Sequence, residues 1–338
     1  MITARSQSAS LALKSVQDLQ SHFSEKMRFA DDPGTFEPVS WLRDGGHHGG
    51  GTRLTYGGGD FFNRASLNVS QVHYDDQPER RLGSATAISS IVHPAHPRLP
   101  SIHLHISWTE MKTGDGYWRL MADLNPSIPD AADTERFVQA IKTASGTHAP
   151  YGIEQGERYF MIPALKRHRG MAHFYLEQFK SADADRDRAF ALSFGKSMID
   201  TYAAILSGKL SGLVAPTADE RARQLAYHTL YLFQVLTLDR GTTSGLLVHD
   251  QNDVGILGSL PARIDRELLK SWGALVLKPQ DELVKTIVAA IPNDGRIEEP
   301  TKIALCQAMR QFYKKYPDAL DLQARGDVLP PTVINHAP

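Results

Sequence analysis

The amino-acid sequence predicts an α+β fold, in which an antiparallel sheet carries helices on its faces. Strand-like segments that alternate apolar and polar residues follow one another before the first internal helical segment, and helical stripes lie before and after them. The strand candidates span 67–72, 85–92, 102–108, 117–124, 173–179 and 230–238. We see no internal repeat and no low-complexity linker, so we predict a single domain over residues 1–327, followed by a tail at 328–338 that forms an extended arm.

The N-terminal segment predicts the first helix of the domain. A targeting peptide is the alternative for this serine-rich start, but Asp18 and Glu25 are unusual for one. Apolar residues recur every three or four positions, which is typical of an amphipathic helix that packs on a core. They are Ala12, Val16, Leu19, Phe23 and Met27.

Further helices are predicted by apolar steps of four residues, by capping signals and by prolines that begin helices. They span 134–144, with Asp133 as the N-cap; 190–206; 217–227, opened by a capping box at Thr217 and Glu220; and, as two or three helices, 262–317, with Pro279 and Pro300 as start signals. Glycine clusters at 45–51 and 57–59 predict loops. We expect no strand before them and no helix after them, so they are not a dinucleotide fingerprint.

Composition excludes several classes of protein. The 37 Lys and Arg residues balance 38 Asp and Glu residues, which argues against nucleic acid as the main partner. The single cysteine, Cys306, rules out an internal disulfide framework and a cysteine-rich metal site. No segment reaches the roughly 20 apolar residues that span a bilayer. We therefore expect a soluble cytoplasmic protein with no membrane span.

A row of imidazoles is the most chemically suggestive pattern. In the segment 102–108, Ile102, Ile106 and their apolar neighbours share one strand face, while His103, His105 and Ser107 share the other. This polar row predicts either a site on that face of the sheet or a face that meets solvent, and the pattern alone does not choose between them.

The same histidines fit a second motif. His103, His105 and Glu110 have the spacing of the cupin metal motif, which belongs to a β-barrel family. In an unbroken strand, however, Glu110 lies on the face opposite the two histidines, so a single cation would need a bulge to reach all three. A metal-dependent cupin-like enzyme is the least favoured alternative.

Two acidic positions could carry chemistry. Asp123 ends a predicted strand, where a carboxylate either points into a cleft or caps the following turn. Asp239 and Arg240 follow the apolar segment 230–238, and Arg240 could offer a planar fork to a carboxylate. The alternative for the second pair is a local surface turn.

Taken in order, these segments resemble the oxygen-dependent coproporphyrinogen III oxidases of haem biosynthesis. The resemblance extends over about residues 40–262 and depends on seven pieces in the family's order. They are Trp41–Arg43; Gly49–Arg53; Leu67–His73; Ser89–Pro94 with Pro97, Pro100 and His103; Asp123–Pro126; Arg169 with Gly170; and Asp239–Thr242 with Gly245.

The chain resembles a divergent member of that family. Its departures are Arg119–Ala122 in place of three glycines, Ala164 in place of a histidine, Ala172 and His173 in place of two glycines, His105 and Ser107 in place of Asn and Arg, and Asp250–Asn252 in place of Gly-Gly-Arg. These departures motivate an alternative function, a tetrapyrrole-binding protein that has lost catalysis.

The resemblance implies a flat antiparallel sheet of about seven strands sandwiched between helices, in a homodimer. The implied reaction is the oxidative decarboxylation of two propionates of coproporphyrinogen III to vinyl groups. Molecular oxygen is the implied co-substrate, and no organic cofactor is used. The requirement for a divalent metal is open; His93 and His103 would hold a metal ion if one is used.

The resemblance also implies roles for individual residues. Asp123 is expected to accept the pyrrole N–H groups, Arg240 to bind a propionate, and His103 to exchange a proton, so these three are the expected catalytic residues. The expected substrate-binding residues are Ser89, His93, His105, Arg53, Arg169 and Asp239, with Arg43 and Arg98 as weaker candidates for propionate binding.

Overall fold

The computed structural model describes residues 1–29 and 32–336. It contains a seven-stranded antiparallel sheet in the order β1-β2-β3-β4-β5-β6-β9. Its strands are β1 Thr35–Leu42, β2 Gly49–Gly57, β3 Phe62–His73, β4 Leu82–Pro94, β5 Ser101–Met111, β6 Gly116–Asn125 and β9 Ala172–Phe179, while β7 Met161–Ile162 and β8 Arg167–His168 pair separately. The α+β prediction is therefore confirmed, and so is the expected number of strands.

Helices cover both faces of this sheet. They are α1 Gln7–Lys26, α2 Ala131–Ser145, α3 Ala149–Phe160, α4 Ala184–Leu210, α5 Ala218–Thr237, α6 Arg240–Val248, α7 Asp253–Ile256, α8 Arg266–Trp272, α9 Gln280–Ala290, α10 Glu299–Lys315 and α11 Thr332–His336. One face packs on α1, α2 and α4, and Ile102, Leu104 and Ile106 of β5 point into that core. A second core forms among α5, α6, α8, α9 and α10 and reaches Ile91 on the opposite face. No helix among the described residues has the length and apolar character to cross a membrane.

The predicted strand at 230–238 is wrong. Helix α5 begins at the capping box of Thr217 and Glu220, as predicted, but continues to Thr237. Every residue from Tyr227 to Thr237 is buried, because this half of the helix is surrounded on all sides. A helix that is apolar all round has no amphipathic stripe, so its sequence looks like that of a buried strand.

The first glycine cluster is only partly a loop, and a strand precedes it, contrary to expectation. Gly49, Gly50 and Gly51 begin β2, which pairs with β1 on one side and β3 on the other. A Cβ at Gly50 would lie 2.3 Å from the carbonyl oxygen of Trp41, and one at Gly51 would lie 2.3 Å from that of Val69. The glycines therefore permit close approach of backbones rather than a turn.

Two smaller predictions need correction. Asp130, not Asp133, caps α2, because its carboxylate accepts hydrogen bonds from the backbone N–H groups of Ala132 and Asp133. The described part of the predicted tail, residues 328–336, is not a fully extended arm, since Thr332–His336 forms the short helix α11; residues 337–338 lie outside the described residues. The predicted N-terminal helix and the helix over 190–206 are confirmed as α1 and α4. Pro279 and Pro300 do mark helix starts, those of α9 and α10.

Candidate functional site

A large cavity lies on the sheet face that carries the imidazole row. Its floor is formed by β3 to β6, and its walls come from α3, α5, α6, α7 and α11. About 1520 Å³ of space, including the open mouth, is not filled by protein atoms. His103, His105 and Ser107 line this cavity, so the polar row faces a site and not bulk solvent.

His103 is held at the cavity floor by Asp123. The two residues lie directly opposite each other on β5 and β6. The Nδ1–H of His103 donates to Oδ1 of Asp123 at 2.7 Å, which leaves Nε2 without a described partner. This contact fixes the ring orientation and the tautomer, as a carboxylate does for a catalytic imidazole.

The carboxylate of Asp123 is fully buried and has further partners. Arg169 donates from Nη2 to Oδ2 at 2.6 Å, and Asn125 donates from Nδ2 to the same oxygen at 2.6 Å. Burial raises the pKa of Asp123, but the Arg169 guanidinium and His103 outweigh it, and the pKa lies well below its usual value. Asp123 therefore carries a negative charge at neutral pH, and both of its oxygens are engaged.

Arg169 holds the Asp123 carboxylate from the side of the cavity on which α5 lies. Its Nη1 donates to Oε1 of Gln234 at 2.6 Å, and its guanidinium lies 4.5 Å from the ring centre of Phe160 and 5.1 Å from that of Tyr231. Burial lowers the pKa of Arg169, but Asp123 more than compensates, so the pKa is raised. Arg169 is a permanent cation that lines the cavity.

A second buried ion pair lies further along the floor. Arg119 of β6 pairs with Glu177 of β9 through Nε to Oε2 at 2.5 Å and Nη2 to Oε1 at 3.1 Å. Burial lowers the pKa of Arg119, but Glu177 outweighs it and the pKa is raised. His105 is half-buried, and its desolvation together with Arg119 keeps its pKa well below the usual value. His105 is thus a neutral group whose Nε2 contacts Oγ of Ser107 at 3.1 Å.

Asp239 and Arg240 lie at the start of α6, and their side chains have different surroundings. Asp239 lines the cavity and caps the helix, since Oδ1 accepts the N–H of Thr242 at 2.6 Å, and its Oδ2 accepts the Tyr159 hydroxyl at 3.1 Å. The guanidinium of Arg240 lies outside the cavity lining and donates from Nη1 to the carbonyl oxygen of Leu320 at 3.1 Å.

Several predicted residues lie away from the cavity lining. The ring nitrogens of His93 contact Ser101 Oγ at 2.9 Å and the Ser259 carbonyl oxygen at 3.2 Å, and the side chain is fully buried. Arg53 lies behind α7, where its Nε donates to Oγ1 of Thr55 at 3.0 Å. Of the predicted residues, the structure therefore brings five to the cavity, namely Ser89, His103, His105, Arg169 and Asp239, with Asp123 directly behind them.

The two weaker arginine candidates bind protein groups. Arg98 forms an ion pair with Glu220 of the capping box, Nε to Oε1 at 2.6 Å. Arg43 donates to Nδ1 of His249 and to the Tyr74 hydroxyl at 2.9 Å. Arg43 thereby supports the cavity wall, because His249 lines the cavity.

No local sequence pattern points to three of the cavity residues. His249 follows α6, while Asn335 and His336 come from α11, beyond the predicted domain boundary. The Asn335 Nδ2 donates to the Tyr117 hydroxyl at 3.0 Å. Tyr74 and His336 contact each other at 3.0 Å. Only the three-dimensional fold brings the tail to this site.

The cupin interpretation is wrong. The sheet is open, with seven strands, and is not a barrel. Glu110 lies on the other face from the two histidines, where Oε2 accepts the hydroxyls of Ser6 at 2.5 Å and Ser84 at 3.3 Å. The strand has no bulge between His103 and Glu110 that would bring the three side chains together.

Comparison with known proteins identifies the family of the chain. The sequence matches the family model of coproporphyrinogen III oxidase over residues 12–271. The chain belongs to the coproporphyrinogen III oxidase family.

Relatives of this coproporphyrinogen III oxidase family member include proteins named oxygen-dependent coproporphyrinogen-III oxidase. The one from Rickettsia akari is 29% identical over 246 residues, which cover 69% of this chain and 85% of the relative. The one from Rickettsia conorii is 30% identical over the same length and with the same coverage.

Some of the positions at which the chain departs from the coproporphyrinogen III oxidase pattern line the cavity, namely His105, Ser107, Arg119, Met121 and Asn252. Ser107, which replaces an arginine of the pattern, lies directly opposite Arg119 on the neighbouring strand. Arg119 belongs to the segment 119–122, which stands in place of the three glycines in the resemblance, and both Ser107 and Arg119 line the cavity. The guanidinium at this part of the floor therefore comes from β6.

Proposed function

We propose that this protein catalyses the oxygen-dependent oxidative decarboxylation of coproporphyrinogen III to protoporphyrinogen IX. Each of two propionates would lose CO₂ and become a vinyl group, while one O₂ per propionate is reduced to hydrogen peroxide. The observation that carries the proposal is His103, held by Asp123 and Arg169 at the floor of a large cavity, in a member of this family. The relatives are named oxygen-dependent, which is consistent with O₂ as co-substrate.

His103 is the proposed proton-exchanging group. Its Nδ1–H is engaged by Asp123, so Nε2 carries the lone pair and is the nitrogen that can accept a proton from the macrocycle. The charge on Asp123 stabilises the imidazolium that forms, and Arg169 keeps that carboxylate ionised. Asp123 is thus a positioning residue in this mechanism, and its predicted contact with pyrrole N–H groups is replaced by contact with His103.

The substrate's carboxylates need cationic or N–H partners. Arg119 and Arg169 are the guanidinium groups that line the cavity among the described residues. Ser89 and His105 add polar atoms to the same floor. Arg240 stays a predicted propionate partner, and it would have to leave the Leu320 carbonyl to reach the cavity. Arg53 and His93 likewise stay predictions, because their side chains lie outside the lining.

A direct assay of the reaction tests the proposal. Purified protein is incubated with coproporphyrinogen III in air and, in parallel, under argon. We expect CO₂ release and protoporphyrin fluorescence, after oxidation, in air alone. No turnover by folded protein in air would overturn the proposed reaction.

A second function is a non-catalytic tetrapyrrole-binding protein. The observation that favours it is that both oxygens of Asp123 are engaged by protein groups and that the Arg240 guanidinium lies outside the cavity. This alternative predicts that coproporphyrin quenches tyrosine and tryptophan fluorescence at micromolar concentration, while no CO₂ is released in air.

We also propose that the protein forms a homodimer in the cytoplasm, as the family resemblance implies. Light scattering during gel filtration is expected to give twice the 37.4 kDa chain mass. A mass equal to one chain would contradict the dimer.

A divalent metal at His93 and His103 has no support from the contacts, because both ring nitrogens of His93 and Nδ1 of His103 already contact protein groups.

A further inference from the structure

We propose that His47, His48 and Asp76 form a binding site for a divalent transition-metal ion of the zinc type. The three side chains meet where the turn between β1 and β2 faces the segment after β3. Their ligand atoms all lie within 4.8 Å of one another, and among residues 1–29 and 32–336 they form the one His, Cys, Asp or Glu group with this property. The proposal is independent of the reaction in the cavity.

The present contacts leave a place for a cation. His48 donates from Nδ1 to Oδ2 of Asp44 at 2.6 Å, so in the neutral ring Nε2 carries a lone pair. That nitrogen lies 3.1 Å from Oδ1 of Asp76, which is also an acceptor. Two acceptors at this distance repel each other unless a proton or a metal ion lies between them.

Other contacts agree with a lone pair on His48 and a charge on Asp76. The Nε2 of Gln77 lies 3.1 Å from Nε2 of His48, as a donor to that lone pair would. The Oδ2 of Asp76 contacts Nε2 of His47 at 2.8 Å. The His47 imidazole therefore faces the same carboxylate as His48 does.

The surroundings have the features of a metal site. A histidine ligand usually donates its other ring N–H to a carboxylate, as His48 does to Asp44. Two imidazoles with one carboxylate suit zinc and neighbouring first-row ions, and not Mg²⁺ or Ca²⁺, which prefer oxygen ligands. His48 is buried, whereas His47 and Asp76 are exposed, so an ion could enter from solvent.

The site would stabilise one wall of the cavity. Asp44, the partner of His48, accepts a hydrogen bond from the Gln251 side chain at 3.1 Å and donates its backbone N–H to the same side chain at 2.7 Å. Gln251 lies between His249 and Asn252, which line the cavity. A bound ion that orders Asp44 would therefore also order this segment.

The test uses Co²⁺ and Zn²⁺ on protein first treated with a chelator. We expect one Co²⁺ per chain with visible d–d absorption bands, displaced by Zn²⁺ and not by excess Mg²⁺. His47→Ala removes an exposed ligand and should weaken Zn²⁺ binding at least about 100-fold; Asp44→Asn should weaken it about 10-fold to 100-fold through His48. Zn²⁺ should also slow amide hydrogen exchange over residues 44–48 and 249–252.

The matched control is His168→Ala. His168 and His173 both contact Glu157, at 3.1 Å and 2.7 Å, but this group does not bring its ligand atoms within mutual reach. Zn²⁺ affinity should not change in this variant. Absence of the Co²⁺ bands, or equal Zn²⁺ affinity in wild type and His47→Ala, would overturn the proposal and identify the group as a hydrogen-bonded turn that holds a proton.

Discussion

Asp123 and His103 face each other across neighbouring strands, so the register of β5 and β6 fixes their contact. A carboxylate in this position, held by Arg169 and Asn125 behind it, has no free oxygen for a ligand. We propose that Asp123 acts on the chemistry through the imidazole. The family resemblance implies a different role, in which Asp123 accepts the pyrrole N–H groups of the substrate.

Asp123→Asn is expected to lower kcat by about 10³–10⁴-fold, because an amide can present N–H groups to His103 and favour the wrong tautomer. The pH dependence of kcat should change as well, which a purely structural residue would not cause. Steady-state assays over a range of pH measure both effects.

The control is Asp200→Asn, which alters another aspartate–histidine contact, with His22 at 2.8 Å, on the opposite side of the sheet. Its kcat should equal that of the wild type. Equal pH profiles for Asp123→Asn and wild type would contradict the positioning role.

Arg119→Met tests the second ion pair. Because Glu177 is buried, removal of its partner leaves an uncompensated charge, and the free energy of unfolding should fall by about 3–5 kcal/mol. The double variant with Glu177→Gln should recover most of that loss. Urea unfolding of the two variants measures the difference, and a double variant less stable than Arg119→Met would contradict this interpretation.

At the scale of elements, α5 and α11 determine the shape of the cavity. Tyr231 and Val235 of α5 form one wall, and Thr332, Asn335 and His336 of α11 cover the floor near β6. The Oγ1 of Thr332 accepts a hydrogen bond from Nη2 of Arg119 at 3.3 Å. The tail thus contacts the cation that we expect to bind a substrate carboxylate.

Removal of residues 331–338 should open the cavity and expose Arg119. We expect the association rate of coproporphyrin to rise several-fold, as measured by stopped-flow fluorescence. Thr332→Ala, which removes one hydrogen bond and keeps the helix, is the matched control and should change the rate little. An unchanged rate in the truncated protein would show that α11 does not limit access.

Alternation and capping signals predicted most elements, because each is a local property of the chain. The strands from β3 to β6 have one apolar and one polar face, and the capping box of α5 lies within four residues. The sequence patterns do not predict β1, β2 or α3, and they predict the C-terminal half of α5 as a strand. The C-terminal half of α5 is buried on all sides and β1 is largely exposed, so neither shows the burial pattern that identifies its element.

The site was predictable where it depends on that alternation. His103 and His105 follow from the alternation in β5, whereas Ser89 follows from the family resemblance. The pairing of Arg119 with Glu177 and the docking of α11 depend on contacts between distant parts of the sequence. No local sequence pattern indicates contacts between distant residues. The sequence therefore predicts the tail only as an extended arm.

At the scale of the whole molecule, buried histidines should make stability depend on pH. Burial lowers the pKa of His228 to about 3, and burial with Arg43 and Arg80 lowers that of His336 to about 3. In the unfolded chain a histidine has a pKa of about 6.5. Between these values the unfolded state binds more protons, so the stability contribution is complete above about pH 6.5 and is lost as the pH falls toward 3.

His228→Gln should therefore reduce the acid dependence of the free energy of unfolding by about 1.4 kcal/mol per pH unit between pH 6 and 4. Urea unfolding at several pH values measures this slope. The exposed His148→Gln serves as the control and should leave the slope unchanged. A His228→Gln slope equal to that of the wild type would contradict the neutral, buried state of His228.

The most direct test of the account is CO₂ release from coproporphyrinogen III in air by wild type and His103→Gln, measured side by side with coproporphyrin binding. We predict that wild type releases CO₂, and that His103→Gln binds the porphyrin with similar affinity but releases CO₂ at least about 10²-fold more slowly. Equal rates of CO₂ release would show that the imidazole at the cavity floor does not take part in the reaction.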